Sequence, residues 1–185
     1  MATLMIIIIA LAAFVGLWLV SSYNCFIKLD ALVKEGWSGI DVQLKRRYDL
    51  IPNLVSTVKG YSIHEKSIIE DVVRMRAASL GASGIQEKAT AEAGLTQSLK
   101  TLFAIAEQYP NLKANENFLA LQKELSTVEQ ELQLARRYYN GAARNYNVAV
   151  TTFPSNVMAK LFGFATAPYF EVTSSEMREA PKITF

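Results

Sequence analysis

This chain offers very little from which an active site could be built. It has one cysteine and one histidine in 185 residues. A single Cys excludes an intrachain disulfide, and Cys25 reads as a small apolar residue at the edge of a hydrophobic run. A lone His excludes a His-Glu-x-x-His zinc motif, because His64-Glu65 is followed by Ile68 where the second ligand would stand. A triad built on His64 lacks the glycine pattern of a nucleophile elbow. Dinucleotide and phosphate-loop glycine patterns are missing, and no group of Cys, His and carboxylates has metal-ligand spacing. The expectation is no catalytic residue, no metal, no cofactor and no enzyme activity. Net charge is +2 with the signs well mixed, so no basic stripe invites nucleic acid. Apolar and polar residues nowhere alternate long enough to make a sheet.

Charge is absent from one end of the chain altogether. Residues 1 to 27 carry no charged side chain, and Leu4 to Val20 are all apolar or small. A helix crossing the hydrocarbon needs about 20 such residues, which Met1 to Val20 supply. A cleaved signal would place Lys or Arg before the run and a small-x-small site after it. Neither is present, since the run exits through Ser21-Ser22-Tyr23-Asn24. Tyr23 and Asn24 are also too large to precede a lipidated Cys25. Residues 1–23 are therefore expected to be a retained transmembrane helix. Basic residues follow it (Lys28, Lys34, Lys45, Arg46 and Arg47) and none precedes it. The positive-inside tendency puts the C-terminal domain in the cytoplasm, with the periplasm as the alternative.

What is abundant is helical periodicity. Phe26, Leu29, Val33, Trp37, Ile40, Leu44, Tyr48, Ile51, Val55 and Val58 recur every three or four residues. The phase holds across Pro52, so one reading is a single helix leaving the bilayer and ending near Gly60, bent at the proline. The other is a break between Asp49 and Pro52, with Asp49 capping a new helix. A second helix is expected over 63–81, using Ile68, Ile69, Val72, Val73 and Met75 and stopping at Gly81-Ala82-Ser83-Gly84. A third spans 86–108 on Ala91, Leu95, Ser98, Leu102, Ile105 and Tyr109, ending at Tyr109-Pro110-Asn111. The fourth, 115–150, repeats Phe118, Leu121, Leu125, Val128, Leu132, Ala135, Tyr139, Ala142, Tyr146 and Ala149 in alternating steps of three and four, with Asn115 as N-cap. Four helices joined by short loops predict an all-α fold: a transmembrane helix continuing into an antiparallel, up-down-up-down four-helix bundle over 24–152.

The block from Ile40 to Tyr61, with Lys45-Arg46-Arg47-Tyr48-Asp49-Leu50-Ile51-Pro52-Asn53-Leu54-Val55 at its centre, closely resembles the signature of the LemA family. Further matches in order are Trp37-Ser38-Gly39-Ile40-Asp41, Gly60-Tyr61-Ser62-Ile63-His64-Glu65, Tyr109-Pro110-Asn111-Leu112, Arg136-Arg137-Tyr138-Tyr139-Asn140 and Phe153-Pro154. The resemblance covers nearly all of residues 23 to 171. It implies a single-pass bacterial membrane protein with a helical bundle on a membrane stalk. It also implies a role in membrane-associated organisation, with relatives linked to magnetosome formation and neighbours to membrane proteolysis. No defined reaction comes with it.

Antiparallel geometry makes one further expectation possible. Residues of the first and fourth helices at equal height should have numbers that sum to about 174. Arg46 and Arg47 then meet the level of Glu129 and Glu131, and Glu35 meets Arg136 and Arg137. With Asn140 and Asn147 on the same stripe as Arg137 and Arg144, these form a candidate inter-helix polar network, or alternatively a site for an anionic partner. The aromatic segment 153–170 is the candidate interaction surface: Ser155 would cap a short helix over 156–162, and Phe153, Met158, Leu161, Phe162, Phe164, Tyr169 and Phe170 would either touch head groups or a second subunit, or close the bundle. Residues 171–185 are expected to be a polar tail, in which Lys182-Ile183-Thr184-Phe185 could add as a strand to a partner. The expected partners are the lipid bilayer, further copies of the chain and other membrane proteins.

Overall fold

The computed structural model describes residues 1–61 and 66–171. Ser62 to Glu65, and with them His64, lie outside the described residues, as does the stretch Lys182 to Phe185. Every element among the described residues is helical: α1 Ala2–Lys59, α2 Lys66–Gly81, α3 Ile85–Ala106, α4 Pro110–Lys113, α5 Glu116–Thr151 and α6 Ser155–Phe162. The chain is all-α, a long apolar N-terminal helix followed by packed helices.

α1 decides between the two readings at Pro52, because it runs unbroken through the proline. Its two ends differ in kind. Met1 to Val15 are exposed on every side, whereas Ile40, Leu44, Tyr48, Ile51, Val55 and Val58 are buried along one stripe. The stripe of α5 is buried in the same way at Phe118, Leu125, Val128, Leu132, Tyr139, Ala142 and Tyr146. Asn115 caps α5, its Oδ1 accepting from the Phe118 N–H at 2.9 Å and satisfying one of the first-turn donors.

Three local expectations need correction. Tyr109-Pro110-Asn111 does more than stop α3. Helix α3 ends earlier, at Ala106, and Pro110 opens the one-turn helix α4, where its missing N–H costs nothing. Ser155 does not cap α6 but forms its first residue, and its hydroxyl donates backward to the carbonyls of Ala149 at 2.7 Å and Thr152 at 2.9 Å. The buried face of α3 is also turned from the expected one. Glu92, Leu99 and Ala106 are buried with Leu95, Ser98 and Leu102, while Ala91, Ile105 and Tyr109 are only half-buried.

The helices pack as two compact units. One comprises Met1–Asp41 and Leu134–Tyr169, the other Val42–Gln133 with Phe170 and Glu171. Both α1 and α5 contribute to each.

Candidate functional site

In the unit formed by residues 42–133, the core is organised around a charge. Arg47 falls in phase with Ile40, Leu44 and Ile51 and is 3% exposed. Its Nη1 donates to Glu92 Oε2 at 3.1 Å and lies 3.3 Å from Glu129 Oε2, and its Nη2 donates to Thr96 Oγ1 at 2.9 Å. Glu92 is wholly buried, and its other oxygen accepts the Tyr48 hydroxyl. An unpaired buried carboxylate would be costly, but here both oxygens are used. Such a pair contributes little net stability compared with apolar packing, yet it discriminates strongly against helix registers that would leave either charge alone.

Of the residues expected in the polar network, Arg47 and Glu129 are thus brought together. Arg46 is exposed and donates to Gln43 at 3.4 Å. Successive helical residues point about 100° apart, so two neighbouring arginines do not both face one core. Glu35, Glu131 and Arg137 are exposed, and Arg136 and Asn140 are half-buried. Sequence reasoning missed Glu92, Tyr48 and Thr96 as polar members. The available signal was phase: Glu92 precedes Leu95, Leu99 and Leu102 in steps of three and four.

Pro52 explains a second buried contact. Proline has no N–H to give the carbonyl four residues back, which is that of Tyr48. Arg76 of α2 supplies the donor instead, its Nε lying 2.8 Å from the Tyr48 oxygen. Beside it lies a groove of about 310 Å³ lined by Ile51, Pro52, Val55, Lys59, Val73 and Arg76. A neighbouring hollow of about 570 Å³ shares Lys59 and Val73 and adds Lys66, Glu70 and Arg74. A third cleft, about 310 Å³, opens beside Arg47 and Glu129 between Thr96, Phe103 and Ser126. Asp71 accepts from Ser98 and pairs with Arg74. The Ser98 hydroxyl chiefly, with the Arg74 guanidinium, holds the Asp71 carboxyl below its ordinary value against the opposing effect of burial.

The other unit relies on shape. A Cβ on Gly36 would stand 2.9 Å from the Tyr139 Cα, so α1 and α5 approach there as closely as glycine permits. Trp37 meets the Tyr139 ring edge-on at 5.9 Å between centroids. Burial raises the Tyr139 phenol above its ordinary value, and burial together with the Asp30 carboxylate raises that of Tyr146. Lys34 is raised by its hydrogen bond to Asp30, 2.7 Å away on the exposed face of α1.

After α6 the chain returns along α5 as an extended strap. Asn147 reads it like a peptide group: Nδ2 donates to the Ala167 carbonyl at 2.8 Å, and Oδ1 accepts the Ala167 N–H at 2.7 Å. The Tyr139 hydroxyl donates to the Pro168 carbonyl at 2.6 Å. Asn147, expected in the inter-helix network, is therefore engaged by the strap. The aromatic segment divides. Met158 and Phe170 are buried, Phe164 and Tyr169 are half-buried, and Phe153, Leu161 and Phe162 are exposed.

With this geometry in view, the LemA family model matches residues 36–185. The chain belongs to the LemA family. Among its relatives, the magnetosome protein MamQ of Magnetospirillum gryphiswaldense is 29% identical, over 90% of this chain and 71% of its own length. Magnetosome protein MamQ 2 of Paramagnetospirillum magneticum is 26% identical, over 92% of this chain and 72% of its own. Protein LemA of Metamycoplasma hominis is 24% identical over 148 residues, 78% of this chain and 66% of its own. Within the LemA match lie Arg47, Glu92, Glu129 and the strap. Among the described residues, no group of three or more His, Cys, Asp and Glu side chains could hold a metal ion. The arrangement can fix helix register, present clefts and carry a helix long and apolar enough to span a bilayer.

Proposed function

We propose that this LemA-family protein is a membrane-anchored scaffold without catalytic activity, which assembles with further copies of itself at the bacterial inner membrane, its C-terminal domain in the cytoplasm. The observation that carries this reading is the continuity of α1. One helix passes without interruption from an apolar segment exposed on all sides to a stripe of buried residues. A hydrophobic stretch exposed to that extent calls for lipid around it. The names of the MamQ relatives associate those proteins with the magnetosome, which fits work on organising a membrane.

A second reading, an adaptor for a membrane protease or sensor, is favoured by the grooves at Pro52. Their floor is apolar, and Lys59, Lys66, Arg74 and Arg76 outnumber Glu70 along their lining. That chemistry suits an acidic amphipathic segment of another protein. Extraction from native membrane in mild detergent, followed by mass and composition measurement, separates the readings. Self-assembly predicts one large homogeneous particle, and an adaptor predicts a second protein at fixed ratio. A uniform monomer without companions would overturn both. Modification of a tag at Phe185 from outside intact cells would refute the cytoplasmic side.

A further inference from the structure

α6 is a short helix with its apolar residues on the wrong side for a protein surrounded only by water. Met158 and Ala159 are each 1% exposed and form its inner face. Its outer face is apolar too: Val157 is 56% exposed and Leu161, one turn on, 70%. Phe153, just before the helix, is 82% exposed. This exposure does not come from a loose end. The helix starts on the hydrogen bonds of Ser155 to Ala149 and Thr152 and ends at Gly163, whose φ of 74° is left-handed. Beyond Gly163, Phe164 stacks on Phe26 at 4.8 Å between centroids, and Asn147 clips Ala167. An apolar face held out this firmly is presented to something.

Its position says to what. Phe162 packs edge-on against Tyr23 of α1 at 5.0 Å between centroids. The apolar run of α1 ends at Val20, and at 1.5 Å per residue Tyr23 stands about 4.5 Å beyond it along the helix axis. If the run fills the hydrocarbon, Tyr23 lies in the head-group layer, where aromatic rings are favoured and where an amphipathic helix rests with its apolar side inward. Lys160, exposed on the same helix, suits anionic head groups.

We infer that α6 is an interfacial foot, a second contact with the bilayer in which Val157, Leu161 and Phe153 enter the head-group and upper acyl region beside the exit of α1. The inference rests on the reading of α1 as a spanning helix, and the test separates the two. In the full chain carrying Cys25→Ser, a fluorophore is placed at Leu161→Cys, at Ala12→Cys in the span and at Lys123→Cys on α5. The protein is reconstituted in vesicles of phosphatidylethanolamine and phosphatidylglycerol. The probe at 161 should be quenched several-fold more by lipid nitroxide near the glycerol than the probe at 123, and shielded from aqueous iodide. Equal access of iodide to 161 and 123 would overturn the inference while quenching at 12 upholds the anchor. Shielding of 161 from both quenchers would overturn it in favour of a protein cover such as a second copy. Failure of nitroxide near the acyl terminus to quench position 12 would remove the anchor, and the foot with it. Val157→Cys reports on the same stripe should Leu161→Cys not fold.

Discussion

The same two helices meet by opposite means in the two units. Where α1 and α5 pass through the unit containing Gly36 and Tyr139, contact depends on the absence of a side chain and on rings meeting edge to face. Where they pass through the unit containing Arg47 and Glu129, contact depends on a buried charge shared with α3. Close packing of shapes resists a slip along α1, which would put a Cβ where only Gly36 fits. A buried ion pair resists a slip by another means, because the slip strands a charge in the core. The chain thus uses a few polar residues to specify register in one unit and close approach in the other.

The sharpest way to break that contrast is to remove Arg47. Arg47→Met leaves the wholly buried Glu92 carboxylate without its cation and should cost about 3–5 kcal/mol. Adding Glu92→Leu and Tyr48→Phe removes the stranded groups together, and most of the loss should return. Urea denaturation of the full chain in detergent measures both. A loss from Arg47→Met of less than about 1 kcal/mol would mean the network does not fix the core, since exposed pairs are worth that little.

The other unit is probed with a pair of glycines three residues apart on α1. Replacing a helical Gly with Ala ordinarily gains about 0.5–1 kcal/mol. Nothing lies within 4 Å of a Cβ built on Gly39, so Gly39→Ala should realise that gain. At Gly36 the new methyl meets the Tyr139 backbone at 2.9 Å, and overpacking of about 1–3 kcal/mol should exceed the gain. Opposite signs in thermal melting are the expected result. Equal effects would show that close approach at Gly36 is not what holds these helices.

Periodicity made most of this fold legible. The α5 stripe from Phe118 to Tyr146, the α1 stripe from Ile40 to Val58 and the Asn115 cap all follow from spacing and local chemistry. Spacing tells which residues share a face but not what stands opposite. Glu92 sits in phase with Leu95 and Leu99, yet a carboxylate on an apolar stripe reads as the edge of the stripe, because its burial is tolerable only with a partner 45 residues away. The same applies to Pro52. Its tolerance inside α1 depends on Arg76, a residue of another helix that takes the orphaned Tyr48 carbonyl. The strap was illegible for a related reason, since Asn147 binds backbone atoms, which no side-chain pattern records.

The smallest expected effect is a difference in how the two units respond to pH. The Asp71 carboxyl is held below its ordinary value of about 4, so its contribution is present above that pH and is lost as pH falls through the lower, folded value. Its side chain is 37% exposed, so solvent screening keeps this acid limb shallow. The Tyr139 and Tyr146 phenols are raised above the ordinary value of about 10, so their contribution is complete below it and disappears as pH rises through the higher, folded values. Acid should therefore weaken the unit of Asp71 and alkali the unit of Tyr139. Asp71→Asn should flatten the acid limb of stability against pH and leave the alkaline limb in place. Tyr139→Phe should do the reverse, with a pH-independent offset from the lost bond to Pro168. If either substitution moves both limbs equally, the two units respond to pH as one, and the contrast drawn from their contacts does not extend to their titration.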